Sequence, residues 1–118
     1  MISIVDQLAQ WTNKNSQTLR NQGVEVTERL PQQGSNRAWK ASIALAYNGI
    51  LVSYTVWERS GLQTELIVMN ALTEKTIRMD DQNPKDPRIV SVDLDSVVKK
   101  LFDGTYKKMD PDPKLTIR

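Results

Sequence analysis

Neither cysteine nor histidine occurs anywhere in the 118 residues. Without cysteine there is no disulfide framework, no thiolate nucleophile and no zinc–thiolate site. Without histidine the chain lacks the side chain that most often moves protons near neutral pH and most often ligates metals. An enzyme built from it would depend on paired carboxylates or lysine, so the sequence reads as that of a non-enzyme. Long apolar runs are missing too: none approaches the ~20 residues of a membrane span. The opening residues, Met1-Ile2-Ser3-Ile4-Val5-Asp6, have no basic stretch followed by an apolar one. They do not resemble a signal peptide, and a cytoplasmic protein with no membrane partner is expected. Charge of one sign is also scarce. The net charge is +2, and the basic pairs Lys99-Lys100 and Lys107-Lys108 have Asp103, Asp110 and Asp112 close by. A nucleic-acid binder would show a stripe of unopposed Lys and Arg, so no nucleic-acid partner is expected.

What is present fits one folded domain: 39% of residues are hydrophobic and 25% charged, at a length typical of a single core. A helix is expected over Ile4 to Gln22, capped by Ser3, with Ile4, Leu8, Trp11 and Leu19 on one face. The polar run Asn13 to Thr18 is a weak helix former and a place for a break. Val24 to Leu30 reads as a short strand and Pro31 to Asn36 as a loop.

The strongest local signal comes next. Arg37–Tyr47 and Ile50–Arg59 are two strand-like runs separated by Asn48-Gly49 alone. Asn-Gly supplies the positive φ angles of a type I′ turn, and a two-residue turn fixes the register. Tyr47 then pairs with Ile50, Leu45 with Val52, Ile43 with Tyr54 and Ala41 with Val56. These pairs are apolar and define a core face, on which Trp39 would also lie. The opposite face pairs Ala46 with Leu51, Ala44 with Ser53, Ser42 with Thr55 and Lys40 with Trp57. It is small and polar, with a tryptophan at its far end.

A turn at Ser60-Gly61 leads to a strand over Glu65 to Asn70, whose run Leu66-Ile67-Val68-Met69 suggests cover on both faces. Thr76 to Met79 gives another strand. Asp80 to Pro87 reads as an Asp-rich loop and Ile89 to Val92 as a short extended piece. A second helix is expected from Leu94 to Phe102, capped by Asp93. The fold class is therefore α+β: an N-terminal helix, an antiparallel meander of four to five strands, and a C-terminal helix packed on the sheet. One domain is expected over 1–104, with an extended or partly disordered tail over 105–118.

No constellation here carries chemistry. The loop with Asp80, Asp81 and Asp86 has no turn glycine and no distal glutamate, unlike a calcium loop. No glycine-rich phosphate loop is present, and no metal or cofactor is expected. Binding signals are better. Two readings fit Trp57: an interface anchor, with Lys40 covering its ring by a cation–π contact, or packing beneath the 31–36 loop or the tail.

The run Ala41-Ser42-Ile43-Ala44-Leu45-Ala46-Tyr47-Asn48-Gly49-Ile50-Leu51-Val52-Ser53-Tyr54-Thr55-Val56-Trp57-Glu58 resembles the TriTu immunity proteins. A starting helix, the Ser60-Gly61 turn, Glu65-Leu66-Ile67-Val68 and Thr73-Glu74 extend the resemblance over roughly residues 1–80. TriTu proteins neutralise TreTu toxins, ADP-ribosyltransferases that modify elongation factor Tu. The resemblance implies a bacterial antidote of interbacterial competition, directed at an Rhs-type or type VI-delivered toxin. It would bind the C-terminal toxin domain as a monomer in a 1:1 complex and block its active-site cleft. An occluding surface could use an aromatic and a carboxylate. The candidates are Trp57, Glu58 and Arg59 with Lys40 opposite, then Glu65, Asp80 and Asp81. The alternative is a secretion chaperone or effector adaptor, a class of dimeric and usually strongly acidic proteins.

Overall fold

The computed structural model describes residues 3–30 and 39–109. Helix α1 (Ile4–Asn21) is followed by strands β1 (Glu25–Arg29), β2 (Lys40–Tyr47), β3 (Ile50–Glu58), β4 (Leu62–Asn70) and β5 (Thr76–Gln82). Helices α2 (Ile89–Phe102) and α3 (Thr105–Lys108) complete it. The strands form one antiparallel sheet in sequence order, β1-β2-β3-β4-β5. This is the expected α+β arrangement. The 31–36 loop, Arg37 and residues 110–118 lie outside the described residues.

The β2–β3 register is the one the Asn48-Gly49 turn dictates, from Tyr47↔Ile50 to Lys40↔Trp57. Asn48 and Gly49 have φ of 51° and 81°, the pair of positive angles a type I′ turn requires. Ala41, Ile43, Leu45, Ile50, Val52, Tyr54 and Val56 are all buried. The helices cover this face. Ile4, Val5, Leu8, Trp11 and Leu19 of α1, Val90, Leu94, Val97 and Leu101 of α2, and Tyr106 of α3 join the same core. α1 runs unbroken through Asn13–Thr18: Ser16 and Thr12 turn inward, so packing outweighs the poor propensity of the segment. Its N-terminus is held by Ser3, whose hydroxyl accepts the Asp6 N–H at 3.0 Å.

Several expectations need correction. Trp39 is 40% exposed rather than core. The helical layer ends where α1 begins, at Ile4, whose N–H lies 3.4 Å from Glu58 Oε1. Trp39 stands just outside that limit, with its carbonyl accepting the Glu58 N–H. β5 continues through Asp80 and Asp81, which pair with Leu66 and Glu65, so these aspartates are strand residues. α2 begins at Ile89, so Asp93 is inside the helix and Ile89–Val92 is not extended. One turn earlier, Asp86 accepts the Arg88 N–H at 2.9 Å through its carboxylate and the Ile89 N–H at 3.2 Å through its carbonyl. This Asp86 turn, with Pro87 inside it, leads into the helix, whose cap residue is Arg88. Finally, residues 105–109, expected in the tail, form α3 and its exit; Tyr106 is buried and Met109 packs on the core.

Two hydrogen bonds tie α2 down. Tyr54 donates its hydroxyl to Asp93 Oδ2 at 2.7 Å, and Trp11 donates its indole N–H to Asp95 Oδ1 at 2.9 Å. Burial holds the Asp93 carboxyl above the usual carboxylate range; the Tyr54 hydroxyl pulls it back and the Asp80 charge adds to the rise.

Candidate functional site

Every described helix packs on one side of the sheet, and no described element crosses the other. Alternation along the strands decides what that open face displays. The cross-strand register aligns its residues in rows. One row runs Arg29, Ser42, Thr55, Glu65, Asp81 from β1 to β5. The next runs Thr27, Ala44, Ser53, Ile67, Met79. Beyond it lie Glu25, Ala46, Leu51 and Met69. At the opposite end Lys40, Trp57 and Gln63 form a short fourth row.

The apolar run of β4 therefore divides. Val68 is fully buried, while Ile67 and Met69 stay half-buried on the open face, beside Leu51 and a 44% exposed Met79. β4 is not covered on both faces by any described element.

Of the seven residues expected to contact a toxin, the structure brings four together. Lys40 places its ammonium 5.6 Å from the centroid of the half-buried Trp57 ring. Glu65 and Asp81 lie on the same face, one and two strands from Trp57. Burial, then the Asp81 charge and a hydrogen bond with it, raise the Glu65 carboxyl above its ordinary range; Lys40 opposes the rise. These four side chains form a ridge with a cation–aromatic stack at one end and a carboxylate pair at the other.

Shallow depressions flank the ridge. One of about 520 Å³ is floored by Ser42, Ala44, Ser53 and Thr55, with Arg29 and Lys40 at its rim. Another of about 520 Å³ lies between Trp57, the Ser60-Gly61 turn and Asn83-Pro84. Both are open and mixed in polarity, suited to side chains of a partner rather than to an enclosed small ligand.

The other three candidates are elsewhere. Glu58 points to the helical side, where its carboxylate accepts the Ile4 N–H at the start of α1 and complements the helix dipole. Asp80 is on the helical side as well, 3.8 Å from the Arg78 guanidinium. Arg59 sits at the sheet end with its guanidinium 5.3 Å from the centroid of Trp39. Trp39 is the exposed aromatic that sequence reasoning assigned to the core; its position one residue beyond the last paired residue, Lys40, was the available signal. Among the described residues no group of three or more acidic side chains could hold a metal ion, and no helix is long and apolar enough to cross a membrane. No family model matches this chain, and neither a curated protein nor a solved structure matches it significantly.

Proposed function

We propose that this protein is a cytoplasmic binding domain that neutralises a cognate bacterial toxin through its open sheet face. The observation that carries the reading is the Lys40–Trp57 stack, set between two shallow grooves on a sheet face that no described element covers. A large, partly desolvated ring pinned by a cation has the character of an interface anchor. The half-buried Leu51, Ile67 and Met69 farther along the same face supply apolar area, and the Glu65–Asp81 pair supplies charge for a basic group of the partner. The resemblance of residues 41–58 to TriTu antidotes names the partner class: an ADP-ribosyltransferase domain whose substrate cleft the face would occlude.

The test is co-purification with the toxin domain encoded immediately upstream, followed by titration calorimetry. Wild-type protein should bind and suppress transferase activity. Trp57→Ala combined with Lys40→Glu should weaken binding by about 30-fold or more, the range of an interface hot spot. Glu58→Ala should bind like wild type, because Glu58 faces α1. Unchanged affinity in the folded double variant would move the site off this face. Absence of any complex would sink the antidote reading.

A further inference from the structure

The open face is self-complementary. β3 is the middle strand of five, and the two halves of the face on either side of it differ in opposite senses. In three of the four rows the β2 side is small, with Ser42, Ala44 and Ala46. The β4 side is large: Glu65, Ile67 and Met69. At the outer edges Arg29 of β1 and Asp81 of β5 stand in the same row, opposite in charge.

Consider a two-fold axis parallel to β3, lying just above the open face. It maps each row onto itself and exchanges the two halves. Ala44 then meets the second copy's Ile67, and Ala46 meets its Met69. Arg29 meets the opposing Asp81, and Lys40 meets Gln63 one row from the opposing Glu65. Leu51, Ser53, Thr55 and Trp57 of β3 meet their own counterparts on the axis. The large Ile67 and Met69 fall on the small Ala44 and Ala46, and the edge charges Arg29 and Asp81 fall on their opposites, as an isologous interface requires.

We infer that the free protein pairs through this face with a second copy of itself, forming a face-to-face β-sandwich dimer. Sheets so packed lie ~10 Å apart and cross at about −30°, an offset that the long Arg29 side chain can span. The buried area is modest. Five strands spaced ~4.8 Å apart give a total of roughly 1,000 Å², at the low end for a specific interface. The dimer is therefore reversible. The inference rests on the open face being the interface of the proposed function. A toxin engaging that face would displace the second copy and leave a 1:1 complex.

Sedimentation velocity on the full chain, from about 1 to about 300 μM, reads the equilibrium by mass action. The mass should rise with concentration from 13.4 kDa toward twice that value. Arg29→Asp alone and Asp81→Arg alone should each stay monomeric, since each opposes like charges twice. An equimolar mixture of the two variants should dimerise, because every contact is then between opposite charges, and the double variant should dimerise as well. Circular dichroism melts confirm that each variant is folded. A monomer at every concentration overturns the inference, as does a dimer indifferent to both single variants. Either result leaves toxin binding by the monomer intact, whereas a dimer that binds no toxin domain overturns only the antidote reading.

Discussion

Thr12 sits on the core side of α1, fully buried, with no hydrogen-bond partner for its hydroxyl among the described residues. A desolvated hydroxyl of this kind costs about 1–3 kcal/mol, and Val has nearly the same shape and helix propensity. Thr12→Val should therefore raise stability by about 1 kcal/mol, seen as a higher urea midpoint with an unchanged slope. Tyr54 and Asp93 show the opposite case. Tyr54→Phe would leave the half-buried Asp93 carboxylate without its donor, and a loss of about 2 kcal/mol at neutral pH is expected. The same site sets a pH dependence. The folded-state Asp93 carboxyl is raised above its ordinary 3.8, so the native state binds more protons than the unfolded one just above that pH. This contribution is present below 3.8 and is lost as pH rises through the raised value. Asp86 acts in reverse. The Arg88 side chain and N–H hold its carboxyl at about 2, so its contribution is present above 3.8 and lost as pH falls through about 2. Asp93→Asn should reduce the first slope, to which the raised Glu65 also contributes, and leave the second, as read from denaturation midpoints between about pH 2 and 6.

The hairpin shows how much of an element can be read in sequence. Two residues between two apolar alternations leave one register, and that register separates the core face from the ridge-bearing face. Gly49 carries a φ of 81°, and no atom of the described residues lies within 4 Å of where its Cβ would be. Gly49→Ala should thus cost about 1 kcal/mol through backbone conformation alone, measurable as a lower melting temperature with the fold retained. Lys107, whose ammonium reaches Asn48 Oδ1 at 3.1 Å, adds a link from α3 that no local pattern foretells. The start of α2 was hidden for a different reason. Ile89-Val90-Ser91-Val92 has strand-like composition, and Asp93 has the chemistry of a cap. The decisive signals were Asp86-Pro87 and the spacing Val90, Leu94, Val97, Leu101, all buried. The extension of β5 was also hidden, because Asp80 and Asp81 are turn-forming residues that pairing to β4 overrules. That override decides the candidate site. It brings Asp81 beside Glu65 and sends Asp80 to the helical side. The Lys40–Trp57 contact followed from register; the separation of Glu58 from Trp57 followed from strict alternation and could have been read earlier.

At the scale of the whole molecule, the last short helix belongs to the core. Tyr106 is 1% exposed and its hydroxyl is held in the neutral form by burial. Tyr106→Ala should cost about 3–4 kcal/mol, and a chain ending at Gly104 should melt well below the full chain in a calorimetric scan. The sheet itself is assembled from neighbours: among the described residues each strand pairs with the strand next to it in sequence. Such local pairing carries a low loop-closure cost and favours quick formation. The bond between the Trp11 indole and Asp95 is of another kind, since it spans 84 positions of the chain. It can close only after the meander has brought α2 back against α1. Trp11 is therefore a built-in clock. With Trp39 and Trp57 changed to phenylalanine, its fluorescence would mark the moment at which the two ends of the protein meet.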